Sequence, residues 1–243
     1  MNSTIHQIGF DRFIQLEWAT SALRVRAGTD CVEALIGLLD VAGLSVAAKK
    51  KTRTVLNRLW LDPRPTLVEF ADRGAALLKA HPGTSVAALS WGMAIATYPF
   101  FGRVAELVGR LSALQGDCTS AEVHRRMSET YGEREGTYRM TNMVLQSQAN
   151  WGAIERVDKG KRLIRMTSMT LTNEQLVAWL IEVVLRYANK PVSVSALKAM
   201  AVIYPFVLDL PLAYIVSNSP ALELRSEGSN SQFVSLRAIT LGL

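Results

Sequence analysis

Basic side chains are concentrated in a short stretch of this sequence, residues 151–166, which reads WGAIERVDKGKRLIRM. Five of these sixteen residues are Arg or Lys, and two are acidic. Cationic side chains neutralise phosphate groups and release their counterions, which supplies most of the sequence-independent affinity of proteins for nucleic acid. The candidate phosphate contacts in this stretch are Arg156, Lys159, Lys161 and Arg162.

Side chains suited to reading bases precede this stretch, on a helix predicted from Glu135 to Asn150. A buried stripe is predicted at spacings of three and four, from Val144, Leu145 and Ala149 with Met140 or Thr141. The predicted opposite face and its N-terminal end carry Arg134, Thr137, Tyr138, Arg139, Asn142 and Gln146. Arginine can donate two hydrogen bonds to guanine, Asn and Gln can pair with adenine, and Thr and Tyr can reach phosphates. This face is therefore a candidate for binding in a DNA major groove.

A third group of cations lies on a helix predicted over Ser45–Leu61, with no acid between Val41 and Leu61. It comprises Lys49, Lys50, Lys51 and Arg53. Three consecutive lysines spread around a helix, so one face cannot use them all. Two interpretations stay open: a solvated helix end, or a second set of phosphate contacts continuous with the basic stretch.

The composition is that of a folded protein with a positive balance. Of 243 residues, 49% are hydrophobic and 20% charged, and the formal net charge is +6. Cys31 and Cys118 are far apart, so we expect no disulfide framework, and we expect a cytoplasmic protein because no signal peptide is visible. The uncharged stretch from Ala80 to Gly102 contains many polar breaks, so Val86–Ala96 is predicted to be a buried core helix rather than a membrane span.

The sequence offers little for catalysis. His6, His81 and His124 are scattered, and no spacing suggests a metal site. Cys118 directly precedes a predicted helix, whose N-terminus could lower the pKa of its thiol, but no partner base is evident. We therefore expect no enzyme, no catalytic residues, no metal and no cofactor.

The elements that position these residues are mainly helical. Capping-box patterns, in which a side-chain oxygen and an acid or amide three residues later satisfy the first helix amides, begin at Asp30, Thr66, Thr119 and Thr172. Residues 1–115 are predicted to form a helical bundle domain of about six helices. Helices Thr119–Tyr131 and Glu135–Asn150 should follow, and then a hairpin with strands Ala153–Arg156 and Arg162–Met166 around Asp158-Lys159-Gly160.

This order nearly repeats toward the C-terminus. Helices are predicted over Thr172–Asn189, Ser193–Ile203 and Leu208–Ser217, followed by strands Leu222–Arg225 and Gln232–Arg237 around Glu227-Gly228-Ser229-Asn230. Residues 116–168 and 169–243 are therefore predicted to be two modules of similar design behind the helical domain.

The pattern of residues 119–166 resembles the winged helix-turn-helix superfamily, and residues 172–239 resemble it more loosely. The junction Trp151-Gly152-Ala153-Ile154, where a helix turns into a strand, is common in that superfamily. The resemblance implies that Glu135–Asn150 is the recognition helix and that the hairpin is the wing, which often lies along the phosphate backbone or in the minor groove. The fold class implied is mainly α, with a helical N-terminal domain and two winged-helix modules.

The arrangement also resembles the BrxA-type accessory proteins of BREX phage-defence systems, which are mostly helical at the N-terminus and have DNA-binding character. The matching stretches are Lys49–Leu59, Leu67–Val108, Thr137-Tyr138-Arg139, Val144-Leu145-Gln146 and Trp151-Gly152-Ala153-Ile154. A place in a DNA-processing or defence assembly is what this resemblance implies.

Charge distinguishes the two modules. Nine basic and six acidic residues lie between Thr119 and Arg165, against five and five between Leu171 and Ile239. We therefore expect the first module to bind double-stranded DNA without catalysis, as a regulator or an assembly subunit, and the second to pack or dimerise. The alternative is a tandem winged-helix adaptor that binds a protein partner rather than DNA.

Overall fold

A computed structural model describes residues 9–227 and 231–237 of the chain, which are mainly helical. Its first six α-helices are α1 (Leu16–Arg26), α2 (Val32–Val41), α3 (Val46–Leu56), α4 (Val68–Ala80), α5 (Val86–Thr97) and α6 (Pro99–Leu111). A π-helical turn, Asn57–Leu61, extends α3, and a 3-10 turn, Pro65–Leu67, leads into α4. The prediction of about six helices in the first 115 residues is confirmed.

Helix α5 lies at the centre of the core. Nine of its twelve residues are buried, and Trp91 contacts the rings of Phe101, Trp151 and Tyr204 edge-on. Burial on all sides explains why this helix is almost uniformly apolar. The prediction of a core helix in this uncharged stretch is confirmed, and none of the described helices has the length and apolarity needed to cross a membrane.

The helix starts follow the predicted caps in part. At Thr119 both hydrogen bonds of the capping box form, as predicted. The cap predicted at Thr172 falls one residue later, because the Asn173 side chain accepts from the amide of Leu176. The boxes predicted at Asp30 and Thr66 are wrong. Asp30 accepts from the adjacent amide of Cys31, and Thr66 lies inside the 3-10 turn that Pro65 begins.

After α6, the middle of the chain forms a strand, two helices and a hairpin. Its elements are β1 (Asp117–Thr119), α7 (Ser120–Tyr131), α8 (Glu135–Asn150), β2 (Ile154–Val157) and β3 (Arg162–Arg165). The three strands are antiparallel in the order β1-β3-β2. The hairpin is close to the prediction, whereas β1 was not predicted, since a three-residue strand carries almost no pattern of its own.

The C-terminal part repeats this topology. Its elements are β4 (Met169–Thr170), α9 (Glu174–Ala188), β5 (Val192–Ser193), α10 (Val194–Leu197), β6 (Phe206–Val207), α11 (Leu212–Asn218), β7 (Leu222–Glu227) and β8 (Ser231–Leu236). The antiparallel order β5-β8-β7 matches β1-β3-β2, and β4 pairs with β6 in parallel. The single helix predicted over Ser193–Ile203 is wrong, because α10 ends at Leu197 and a separate 3-10 turn covers Ala201–Ile203. The predicted turn residues 228–230 lie outside the described residues.

One hydrophobic core joins all these parts. Trp179 of α9 stacks on Phe70 of α4 with ring centroids 4.3 Å apart, and its indole N–H donates to the Phe70 carbonyl at 3.0 Å. Buried Glu182 of α9 forms ion pairs with Arg73 at 2.5 Å and Arg186 at 2.8 Å. Helix α9 is therefore fixed to α4 by both apolar packing and an ion pair whose carboxylate is buried.

The C-terminal end of α8 is fixed to the start of the described chain. The Trp151 indole donates to the carbonyl of Ile14 at 2.9 Å, and the amide of Ile14 donates to Ser147 Oγ at 2.9 Å. The amide of Leu16 donates to Asn150 Oδ1 at 2.7 Å. These three bonds hold α8 at one end, so its remaining surface is presented on a fixed frame.

Candidate nucleic-acid interface

Helix α8 has one buried and one exposed face. Val144, Leu145 and Thr141 are completely buried, and Met140 and Ala149 pack against them from the edges. The predicted buried stripe is thus confirmed, with Thr141 at its centre and Met140 beside it. The exposed face presents Tyr138, 61% exposed, and the exposed side chain of Arg139, with Gln146 half-buried further along.

Thr137 does not belong to the exposed face, and its predicted place there is wrong. Its residue is only 1% exposed, and its hydroxyl has no hydrogen-bond partner in the described residues. The position is four residues before Thr141, so the two side chains share the inward face of the helix. Thr137 therefore cannot reach a phosphate from this fold, although its residue type suggested it.

Tyr138 extends over the helix beneath it. Its ring stacks on the imidazole of His124 of α7, with centroids 4.0 Å apart and planes at 21°. Burial, with a smaller contribution from the charge of Arg156, lowers the pKa of His124 to about 4. A neutral imidazole therefore supports Tyr138 at neutral pH.

Arg156 lies on the inner side of the hairpin rather than on the outer side. It is paired across the strands with Leu163, which is completely buried, and directly paired residues share one face of a sheet. Its Nη2 donates to Oδ1 of Asn142 on α8 at 2.7 Å. Burial lowers the pKa of Arg156. The wing contact predicted for this residue therefore has to be corrected, because its side chain joins the hairpin to α8.

The tip of the hairpin has a tight left-handed backbone. Asp158, Lys159 and Gly160 have φ of 52°, 57° and 83°, and the amide of Lys161 donates to the carbonyl of Asp158. Positive φ at Lys159 and Gly160 is the geometry of a type I′ turn, whose twist matches that of a hairpin. The turn exposes Lys159 and Lys161, and neither has an acidic partner among the described residues.

Arg162 differs from these two lysines. Its side chain is exposed, but both Nε and Nη2 donate to Asp117 Oδ2 of β1, at 2.6 Å and 2.5 Å. An exposed ion pair of this kind contributes little stability, yet it neutralises the charge locally. Arg162 is thus less available to a phosphate than Lys159 or Lys161.

Acids flank the N-terminal end of α8. Glu133, Arg134 and Glu135 are all exposed, and they line, with Tyr138 and residues of α7, an open cleft of about 660 Å³. Their carboxylates repel phosphate but can accept a hydrogen bond from the amino group of cytosine. Cationic contact is accordingly favoured at Arg139, in the second turn of α8, rather than at the first turn.

The cations of α3 differ in whether they have an acidic partner. Lys49 forms an ion pair with Asp40 of α2, and Thr52, which separates Lys51 from Arg53, is buried at 2% exposure. Lys50, Lys51 and Arg53 are exposed and have no acidic partner in the part of the chain that the structure describes. Three cations of this group therefore stay available to an anionic partner.

The corresponding surface of the second module is neutral. Helix α11 contains no Lys or Arg, and its largest exposed side chain is Tyr214, at 58%. On its hairpin, Arg225 forms an ion pair with Glu223 at 3.0 Å. The positive charge of the first repeat thus has no counterpart on α11 and its hairpin in the described residues.

Cys118 does not have the environment of a reactive thiolate. Cys118 is buried in β1, and burial, together with Glu122 and Asp117, raises the pKa of its thiol to about 12. The lowered pKa considered for it is therefore wrong. Both cysteines are free, as expected from their spacing.

Comparison with known protein families, with curated proteins and with solved structures finds no match to this chain.

Proposed function

We propose that the two repeated units are winged-helix modules. Their support is the shared topology: a helix, a short strand, two helices and a hairpin whose second strand lies between the other two. In this assignment α6 is the first helix of one module and α9 the first helix of the other. The first module then begins at α6, ahead of the boundary at residue 116.

We further propose that the first module binds double-stranded DNA without catalysis, as a regulator or as a subunit of a DNA-processing or defence assembly. The observation that carries the proposal is that α8 and the adjacent hairpin tip both expose cations without acidic partners in the described chain. These are Arg139 of α8 and Lys159 and Lys161 of the hairpin tip, and Arg134 lies directly before α8 between two acids. A major groove admits an α-helix, and a basic loop beside it can follow the phosphates.

The individual roles follow from exposure. Arg139 and Gln146 are candidates for base edges, Tyr138 for a phosphate or sugar, and Lys159 and Lys161 for the backbone beside the groove. Thr137 is removed from the set because it is buried. Arg156 donates a hydrogen bond to Asn142 instead of contacting a phosphate. Lys50, Lys51 and Arg53 on α3 add a second set of phosphate contacts.

A protein partner is the second candidate function, and one observation favours it for the second module. Its α11 exposes an aromatic ring at Tyr214 but no cation, and exposed tyrosines are enriched in protein interfaces. In this alternative the chain is a tandem adaptor in which neither module depends on phosphate.

Titration of a fluorescent random duplex with the full chain, at two salt concentrations, separates the two functions. DNA binding should weaken with salt, with a log–log slope of about −0.9 per neutralised phosphate. The double variant Lys159→Ala/Lys161→Ala should bind every duplex more weakly and reduce the slope by about one per lost contact.

The control is Lys190→Ala/Lys198→Ala, which removes two exposed lysines from the second module, of which Lys198 lies 3.9 Å from Asp209 Oδ1. It should leave the affinity unchanged. Absence of duplex binding at low salt, or an equal loss in both double variants, contradicts DNA binding through the first module.

A further inference from the structure

Arg156 is held between the hairpin tip and the proposed recognition helix. On one side its Nη2 donates to Asn142 Oδ1 at 2.7 Å. On the other side it lies against the turn, since a Cβ placed on Gly160 would be 2.6 Å from Arg156 Nη2 and 3.2 Å from its Cζ. The guanidinium therefore fills the space between the wing and α8.

The contact fixes how the amide of Asn142 is oriented. A guanidinium only donates hydrogen bonds, so the oxygen of the amide must face Arg156 and its NH₂ group must face away. Asn142 is half-buried, and its position on α8 lies four residues after Tyr138 and three after Arg139, on the proposed reading surface. The group left for a partner is thus a donor.

The charge of Arg156 has no carboxylate partner among the described residues, which strengthens its demand for the Asn142 oxygen. Its Nε is buried without a partner, and burial lowers its pKa. The Tyr138–His124 stack lies close enough for Arg156 to lower the pKa of His124. A half-buried cation in this position is costly to leave without an acceptor, so the Asn142 contact is favoured.

We propose that Arg156 is a positioning residue that sets base preference through Asn142, an inference that depends on the proposed DNA-binding function. With its oxygen engaged, Asn142 offers NH₂ to an acceptor edge, and guanine presents two acceptors, N7 and O6, in the major groove. The base pair under Asn142 should therefore be read as guanine. Thymine presents one acceptor, O4, and adenine is disfavoured because bidentate pairing with it also requires the amide oxygen, which is turned toward Arg156.

Selection of bound duplexes from a random library by the full chain gives the preferred site, and single-base variants of that site give the preference at each position. Wild-type protein should show one position with a guanine preference that Asn142→Ala removes. Arg156→Ala should remove the preference at the same position, by about tenfold relative to adenine if one hydrogen bond is lost. The double variant should lose no more than either single variant.

Two further variants separate positioning from general damage. Arg156→Lys retains a donor and should restore part of the guanine preference, whereas Lys159→Ala should weaken binding to all bases equally. Gly160→Ala should displace the guanidinium without removing it, and it also strains the turn, where φ is 83°. It should lower the same preference, and this second measurement does not depend on the folding of Arg156→Ala.

The position of Arg156 beside the Tyr138–His124 stack can also be tested without DNA. Nuclear magnetic resonance titration of the His124 ring should show a higher pKa in Arg156→Gln than in the wild type, because a neighbouring positive charge is lost. If the wild-type chain selects no duplex, the DNA-binding proposal fails and the base preference with it. If it selects a site but the Arg156 and Asn142 effects are additive or fall on different base pairs, only the positioning role is overturned.

Discussion

Lys159 combines a strained backbone with an exposed charge. Its φ of 57° and ψ of 32° lie in the left-handed region, which costs an L-residue about 1–2 kcal/mol. Glycine adopts this conformation freely but loses more entropy on folding. We therefore expect Lys159→Gly to raise the free energy of unfolding, by about 0.5–1 kcal/mol, and to weaken binding to duplex DNA. Urea denaturation and fluorescence anisotropy measure the two effects.

Lys161 provides the matched control for this prediction. It is also exposed and unpaired in the described chain, but its φ of −75° is ordinary. Lys161→Gly should therefore lower DNA affinity to a similar extent and lower stability instead of raising it. Equal stability changes in the two variants would show that the turn is not left-handed in solution.

His124 should make stability depend on pH. Burial depresses its pKa from 6.5 to about 4, so the unfolded chain binds the proton more readily than the folded one. Its contribution is present above the unfolded pKa, at pH 7, and is lost as the pH falls from about 6.5 through about 4. His124→Phe preserves a ring beneath Tyr138 and cannot titrate.

The measurement is the difference in free energy of unfolding between wild type and His124→Phe at pH 7, 5.5 and 4.5. Carboxylates titrate in both proteins, so the difference isolates the imidazole. The wild type should lose stability relative to the variant as the pH falls. A difference that is constant with pH would contradict a buried neutral His124.

Helices α8 and α11 each precede a hairpin, but we expect them to respond differently to mutation. Arg139 is exposed on α8, so Arg139→Ala should change stability by no more than about 0.5 kcal/mol. It should cost about 1–3 kcal/mol of duplex binding if a base edge is read. Leu212 and Ile215 of α11 are 3% exposed, so Leu212→Ala and Ile215→Ala should each cost about 2–5 kcal/mol of stability.

Arg139→Ala should therefore lower the duplex affinity but not the stability, whereas the two α11 variants should lower the stability. Exchange of Arg225 on the second hairpin should leave duplex binding unchanged, because that cation is paired with Glu223. Loss of binding through Arg225, with none through Arg139, would assign DNA contact to the second module.

Helix α3 provides the test between a solvated helix end and a phosphate surface. Lys50→Ala/Lys51→Ala removes two exposed, unpaired charges and no buried contact. We expect lower affinity for any duplex, an unchanged base preference and a smaller salt slope. Lys49→Ala is the control, since its charge is already paired with Asp40. Equal salt slopes in wild type and double variant would leave α3 as a solvated face.

Local signals determined which parts of these elements could be predicted from the sequence. The Thr119 cap and the Asp158-Lys159-Gly160 turn depend on a few adjacent residues, and both were predicted where they occur. The orientation of Arg156 depends on strand register, and a shift of one residue turns every side chain to the other face. Thr137 was misplaced because its polar side chain suggested exposure, whereas its position on the helix decides burial.

At the scale of the whole molecule, the two proposed modules and the helical domain share one core. Tyr204, in the turn after α10, donates to Gln148 of α8 at 3.1 Å, and its carbonyl accepts from Arg165 of β3 at 2.7 Å. Gly109 of α6 approaches the same turn, since a Cβ there would lie 2.3 Å from the carbonyl oxygen of Ala201. Such contacts were not visible in the sequence, because they join residues that lie far apart along the chain, 39 for Arg165 and Tyr204 and 56 for Gln148 and Tyr204.

Because of this close approach, we expect a substitution at Gly109 to lower the stability of the whole molecule. The backbone of Ala201 cannot move aside like a flexible side chain, so Gly109→Ala should separate α6 from the second module and cost about 1–3 kcal/mol of stability. Gly37→Ala is the matched control, because Gly37 lies in α2 with nothing within 4 Å of an added Cβ. It should be stabilising, by about 0.5–1 kcal/mol, as alanine is the better helix former.

Circular dichroism follows all the helices, while tryptophan fluorescence reports the five tryptophans of the chain, all of which are buried. Both signals should change in one coincident transition in Gly109→Ala, at a lower urea concentration than in the wild type. A shared core unfolds as a unit, so neither module should melt separately. Two separate transitions, or a Gly109→Ala variant as stable as Gly37→Ala, would show that the second module is not fixed to α6 in solution.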